Sequence, residues 1–321
     1  MLKIADKAGM SLEATFRFQT YERFPAEASP WSAYCRMVVS TVEDMVRLPH
    51  ADLWFWPTFS PSQFAAAVIS RSTVPQIGGM WWLPRFPHPV GARMWANAAR
   101  GAAGAAAPVV VGAYDERLAA LCRTFSARLP IQTMPCPHDG APLSERPMQL
   151  KRIGFLGHQR PTRGIDLMPK LIAATLDRGY DVLVHDSSAT IRQQQPHPRL
   201  EVLHYVEDFA SVIERCDLVV WPSRHEAYHH QYSGIVSESI ASGIPVVAPA
   251  GCLPAEVLVR YGCGSFFHET SLDAVIGAID DAADDFPALA ERARAAARAW
   301  QAGQGSGRLA EWLEMKGDGL R

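Results

Sequence analysis

Two stretches of this 321-residue chain carry residue types at spacings suited to an anionic ligand. The first is Gly157-His158-Gln159-Arg160-Pro161-Thr162-Arg163-Gly164. It lies between an apolar run ending at Leu156 and a helical period opening at Ile165. Glycines there allow close backbone approach, and the amides of a following helix point at an anion. Arg160 and Arg163 add forked donors that match phosphate oxygens, so the stretch reads as a diphosphate cradle; the plainer alternative is a basic surface turn. The second stretch is Trp221-Pro222-Ser223-Arg224-His225-Glu226, followed by Ser233-Gly234-Ile235-Val236-Ser237-Glu238 and Ile244-Pro245-Val246-Val247-Ala248. It brings two carboxylates, Glu226 and Glu238, to either side of a glycine that opens a helical period.

Such loops need a frame, and the second half supplies a legible one. Ile153 to Leu156, Val182 to Val184, Val202 to Leu203, Leu218 to Trp221, Ile244 to Ala248 and Ser265 to Phe267 are short apolar runs bounded by Gly, Pro, Asp or Ser, as strands are. Helical periods alternate with them: Ile165 to Arg178, Phe209 to Arg215, Ile235 to Ala241, Ala255 to Arg260 and Leu272 to Ala283, with Gly179 and Gly243 where C-caps belong. Strict β–α alternation predicts a doubly wound parallel sheet with ligands at the carboxyl ends of its strands. The first half is less regular. Ser32 to Arg47 reads as helix, Leu53 to Trp56 as strand, Ser62 to Ile69 as helix, Val109 to Ala113 as strand and Glu116 to Arg128 as helix. Pro130 to Pro147 reads as a linker, and Leu289 to Trp300 and Leu309 to Met315 as terminal helices separated by the Gly-rich break Gly303 to Gly307.

Composition narrows the function class. At 48% hydrophobic and 20% charged residues the chain is globular rather than disordered. A net charge of −2, basic in the first half and acidic in the second, gives no global field that would draw it onto nucleic acid. The charge-free run Leu53 to Ser70 is broken by Pro57 and Pro61, so no transmembrane span is expected. Asp6 and Lys7 fall where a secretory signal has its apolar core, which predicts a cytoplasmic protein. The six cysteines, Cys35, Cys122, Cys136, Cys216, Cys252 and Cys263, form no CxxC pair and read as reduced, mostly buried thiols.

The strand ending in Pro-Ser, the loop glutamate, the glycine opening a helix with a second glutamate, and the Gly-x-Pro-Val-Val run resemble the nucleotide-sugar domain of retaining GT-B glycosyltransferases of the family 4 type, over about 151 to 285. The resemblance implies an α/β protein of two Rossmann-like domains, with a short or divergent amino-terminal one. Residues 1–147 would be the acceptor side, 148–288 the donor domain, and 289–321 terminal helices packing back on the first. It implies transfer of a sugar from a nucleoside diphosphate sugar to a saccharide, lipid or other acceptor, with no cofactor or metal. Contact with the inner membrane surface would be peripheral. Gly157, His158, Arg160, Arg163 and Gly164 would then hold the diphosphate, with His158 where the family places Arg and Arg163 where it places Lys. The amides around Ser233, Gly234 and Ile235 would hold the same group, Glu238 would accept ribose hydroxyls, and Glu226 would act on the donor sugar as the catalytic residue.

This sequence departs from the family in spacing its glutamates twelve positions apart instead of eight. Ala227 to Ser233 thus reads as a lengthened loop whose Tyr228, His229, His230 and Tyr232 reshape the sugar pocket. The family's strand with a Gly-Gly loop at the start and its active-site histidine are not evident; His88 is the nearest candidate. The aromatic set Trp54, Trp56, Trp81, Trp82, Phe86 and Trp95, with Pro84, Pro87 and Pro89, suits acceptor or membrane-surface contact on one reading and interdomain packing on the other. Two other functions compete. One is a non-catalytic nucleotide-sugar-binding protein. The other is a zinc hydrolase, because His225-Glu226-Ala227-Tyr228-His229 spells HExxH. That motif works only on a helix, and Pro222 upstream, Ser233 downstream and the lack of an apolar stripe predict none; Glu256 is the sole distant third ligand.

Overall fold

The structure, a computed structural model, describes residues 38–43, 45–46, 51–57, 64–66, 74–80, 96–97, 99–102, 107–125, 129–140, 149–157, 161–187 and 196–320. It divides into two compact units, Met1–Cys136 with Ser306–Arg321, and Pro137–Gly305. The division falls before Pro137 rather than at residue 147, and the helix beginning at Phe286 belongs to the second unit.

Among the described residues of the first unit, four parallel strands lie in sequential order: β1 (Trp54–Trp56), β2 (Gln76–Met80), β3 (Val109–Ala113) and β4 (Ile131–Thr133). Every residue of β3 is buried, as expected for a parallel strand covered on both faces. Helix α1 (Glu116–Phe125) follows it, and the described parts of 38–46 and 64–66 are helical as expected. Two strands are additions to the sequence reading. β2 is hidden by its glycines: a Cβ at Gly79 would stand 2.5 Å from the Pro57 carbonyl oxygen and 2.8 Å from the Tyr114 hydroxyl. Backbone and phenol pack where a strand residue usually carries a side chain, and Tyr114 Oη donates to that same Pro57 oxygen at 3.0 Å. β4 occupies three residues of the stretch whose prolines suggested a linker; it pairs with Val111 to Ala113.

Among the described residues the second unit carries six parallel strands: β5 (Arg152–Phe155), β6 (Asp181–His185), β7 (Leu200–Leu203), β8 (Leu218–Val220), β9 (Val246–Pro249) and β10 (Gly264–Phe267). Their order across the sheet is β10-β9-β8-β5-β6-β7. The helices are α2 (Met168–Asp177), α3 (Phe209–Ile213), α4 (Gly234–Ala241), α5 (Leu253–Tyr261), α6 (Leu272–Asp284) and α7 (Phe286–Gly303). The chain ends in α8 (Gly305–Leu320), so the expected Gly-rich break shrinks to Gln304. Helix α2 begins later than the periodicity suggested, because a 3-10 turn at Pro161–Arg163 and further turn residues precede it. Ile153, Phe155, Leu171, Val182, Val247 and Ile279 anchor the core between sheet and helices. Each such side chain contributes about 1.5–3 kcal/mol on burial, enough to hold the loops at the strand ends in place.

Cys122, Cys136, Cys216, Cys252 and Cys263 are buried thiols; Cys35 lies outside the described residues. Burial pushes the Cys122 and Cys263 thiols up to about 12. Among the described residues no helix is long and apolar enough to cross a membrane.

Candidate active site at the carboxyl ends of β5 and β8

The strand order reverses at β5, which pairs with β6 on one side and β8 on the other. Crevices for ligands form at such reversals, beyond the carboxyl ends of the strands. The two stretches singled out in the sequence are the loops that leave β5 and β8 there.

On the β5 loop Gly157 has φ +96°, and a Cβ at this position would lie 2.1 Å from Arg163 Nη1. The glycine thus serves two ends: a left-handed turn out of the strand, and room for the guanidinium above it. Gly164, at φ +66°, lies against Pro222 of the other loop, whose carbonyl oxygen would stand 2.4 Å from an added Cβ. Arg163 Nε donates to Tyr228 Oη at 2.8 Å, while its Nη1 is buried and has no hydrogen-bond partner. A buried guanidinium N–H left in this state is a donor held ready for an acceptor. His158 and Arg160 lie outside the described residues.

The β8 loop is fastened to the β5 loop at several points. Arg224 N donates to Thr162 O at 3.0 Å, and Arg224 Nη2 reaches Asp166 Oδ2 at 3.1 Å. Tyr228 is buried, edge-on to Trp221 with ring centroids 4.5 Å apart. Trp221 Nε1 and Ser223 Oγ are also buried without partners. The lengthened loop is therefore a packed element: Tyr228 and Tyr232 are inside, His229 is exposed, and Tyr228 serves Arg163. Of its HExxH residues, His225–Ala227 form a 3-10 turn and Tyr228 and His229 lie beyond it, so the helix that motif requires is absent there. Among the described residues no cluster of three or more His, Cys, Asp or Glu is arranged for a metal. Glu226 is 71% exposed, 3.5 Å from His225 Nε2.

Helix α4 starts at Gly234 with Ser233 as N-cap, its side chain accepting from Val236 N at 3.4 Å. The first-turn amides of Gly234 and Ile235 belong to the positive end of the helix, and Ile235 packs near Gly157. One turn further, Glu238 accepts at Oε1 from His138 Nδ1 at 2.9 Å, whereas its Oε2 is buried without a partner. Two relationships escaped the sequence reading. His138 stands 100 residues before Glu238, in what read as linker, and the only local sign was a histidine among Pro137, Asp139 and Gly140. Tyr228 was assigned to a sugar pocket, with no sign that it would fix Arg163. Of the aromatic set, Trp56 is buried and donates from Nε1 to Gln76 Oε1 at 3.1 Å, while Trp81, Trp82, Phe86 and Trp95 lie outside the described residues, as does His88.

A parallel α/β architecture with a reversed strand order and an anion-ready crevice defines a class, and comparison with known proteins supplies its name. Residues 144–300 match the family described as glycosyl transferases group 1. That stretch is similar to group 1 glycosyltransferase domains, and the parallel α/β units have the fold of GT-B glycosyltransferase structures. Among solved structures, sucrose-phosphate synthase from Thermosynechococcus elongatus is similar at a TM-score of 0.68 and 14% identity, over 96% of this chain and 85% of that one. Anabaena Alr3699/HepE in complex with UDP gives 0.63 and 13%, over 90% and 82%. Starch synthase IV from Arabidopsis thaliana, bound to ADP and acarbose, gives 0.59 and 10%, over 90% and 78%. At these identities the likeness is one of fold. No curated protein matches the sequence at a significant level.

Proposed function

We propose that the chain transfers a sugar from a nucleoside diphosphate sugar to an acceptor, with retention of anomeric configuration, and that the second unit holds the donor. The observation that carries this reading is a pair of buried polar atoms without partners, Arg163 Nη1 on the β5 loop and Glu238 Oε2 on the helix after the β8 loop. One is a cationic donor and the other an anionic acceptor, the two chemistries that a diphosphate and a ribose require. Similar folds are seen with UDP, with UDP-glucose and with ADP.

In this reading the bond from the sugar's anomeric carbon to the diphosphate oxygen breaks, the acceptor hydroxyl oxygen bonds that carbon on the same face, and its proton passes to the departing diphosphate oxygen. Negative charge builds on the departing diphosphate. Arg163, with His158 and Arg160, and the amides of Gly234 and Ile235 stabilise it where water is largely excluded. Gly157 and Gly164 let the backbone come close, Ser233 sets the helix end, Glu238 accepts from ribose, and Glu226 faces the donor sugar. The acceptor is a saccharide, a lipid or another hydroxyl compound, and the reaction as drawn uses no metal.

Calorimetry with UDP, GDP and ADP, together with donor turnover, tests it. Arg163→Ala removes a charge-assisted contact of about 1.5–3 kcal/mol, one to two decades in affinity. Glu238→Gln weakens nucleotide binding, and Glu226→Gln chiefly lowers sugar transfer. Folded variants that bind and turn over like the parent would overturn the assignment.

A further inference from the structure

The contact between His138 and Glu238 joins residues from distant parts of the second unit at the edge of the crevice. We infer that His138 is a positioning residue for Glu238: its Nδ1–H fixes Oε1 so that Oε2 is presented to the ribose of the donor nucleotide. This rests on the donor reading above and deepens it.

Three observations carry the inference. The carboxylate is split in use, with Oε1 on His138 Nδ1 at 2.9 Å and Oε2 buried without a partner. The histidine is itself held from behind, because Trp300 Nε1, on a side chain only 1% exposed, donates to the His138 carbonyl oxygen at 2.8 Å. The segment that carries it has no slack along α4: a Cβ at Gly140 would fall 2.2 Å from the Ala241 carbonyl, and one at Gly305 would fall 3.0 Å from Asp139 Oδ1. The imidazole rests beside the first turn of α4, with Nε2 3.7 Å from a Cβ built at Gly234. A glutamate on a helix has several rotamers and loses that freedom when it binds a ligand. Here the order is already imposed through Trp300, His138 and Oε1, and preorganisation of this kind raises affinity without a new ligand contact. A bond that only tied the segment to α4 has the same geometry, and the two roles differ in what the loss of the bond does to ribose recognition.

The ribonucleotide to deoxyribonucleotide preference separates the two roles. The probe is whichever of UDP, GDP and ADP binds the parent chain most tightly, titrated beside its 2′-deoxy and 3′-deoxy analogues. The parent is expected to prefer the ribonucleotide about tenfold over at least one analogue. His138→Ala should lower ribonucleotide affinity about five- to tenfold and leave that analogue's affinity unchanged, so that the preference collapses. His138→Asn, whose side-chain amide can donate to the same oxygen, should keep most of it. If alanine compromises folding, His138→Phe keeps a ring beside Gly234 without the donor and is expected to lose the preference likewise. A preference retained in the non-donating variant, or an equal loss for ribo- and deoxynucleotide, overturns the positioning role alone. A parent that binds nucleotide without preferring ribose overturns the contact of Glu238 with ribose and the inference together, and a parent that binds none of the three overturns the donor reading.

Discussion

Among the described residues both units are parallel sheets, yet their strands differ in order, and that order decides which loops meet. In the first, β1 to β4 lie side by side in the order in which they are synthesised. In the second, β5 sits between β6 and β8, so two loops far apart in sequence leave the sheet next to each other. The polar interior follows this difference. Buried Gln76 in the first unit accepts at Oε1 from Trp56. Arg163 Nη1, Trp221 Nε1, Ser223 Oγ and Glu238 Oε2, all in the second, are buried without partners. A reversed order sets polar groups of two loops side by side, where a ligand can complete them.

The contrast can be broken most severely at Gly79. Gly79→Val puts a branched side chain against the Pro57 carbonyl and Tyr114, and should cost the first unit about 1–3 kcal/mol in urea unfolding while nucleotide affinity stays at the parent value. Lost affinity without lost stability would contradict it. Tyr228→Phe sharpens the comparison from the other side, since it removes the acceptor of Arg163 Nε and leaves the ring on Trp221. The expected cost is about 1 kcal/mol in nucleotide binding, near fivefold by calorimetry, with thermal stability little changed.

The smallest effect should be shared equally. Cys122 in one unit and Cys263 in the other are both held protonated by burial, up to about 12 from the 9.0 of an open thiol. The folded form therefore binds more protons than the unfolded form between those values. The thiols' contribution is complete below about pH 9 and is lost as pH rises towards 12. At pH 9.5 the loss is under about 1 kcal/mol apiece. Serine variants should flatten the pH dependence of urea midpoints, and the native thiols should resist Ellman's reagent at pH 8. Rapid labelling of the folded chain would contradict the burial.

How far the sequence could be read follows the same division. The six strands of the second unit appear close to their predicted places, because apolar runs such as Val182 to Val184 are bounded by turn residues and separated by helical periods. Val109 to Ala113 was legible for that reason too. Gln76-Ile-Gly-Gly-Met was not, since a strand that relies on neighbours filling the space above its glycines has no periodicity of its own. Gly157, Arg163, Ser233, Gly234 and Glu238 stand out as local motifs, and they lie on the loops after β5 and β8 and on α4. What stayed hidden were their supports: Tyr228 is 65 residues from Arg163 in sequence, and local spacing carries no sign of such pairs.

The reversed strand order also shapes how the second unit is made. Pairing of β5 with β8 joins Ile153 to Leu218 and must close the longest loop of any neighbouring pair in this sheet. Closure entropy grows with that separation, and long-range parallel pairing is slow. Until Leu218 to Val220 leave the ribosome, β5 has β6 on one side and a bare, apolar edge on the other, the kind that invites pairing between chains. The crevice comes into being at the moment this edge is covered. A nascent chain halted before β8 thus carries its Arg163 loop beside an aggregation-prone edge, and protection during synthesis and assembly of the active site are one event.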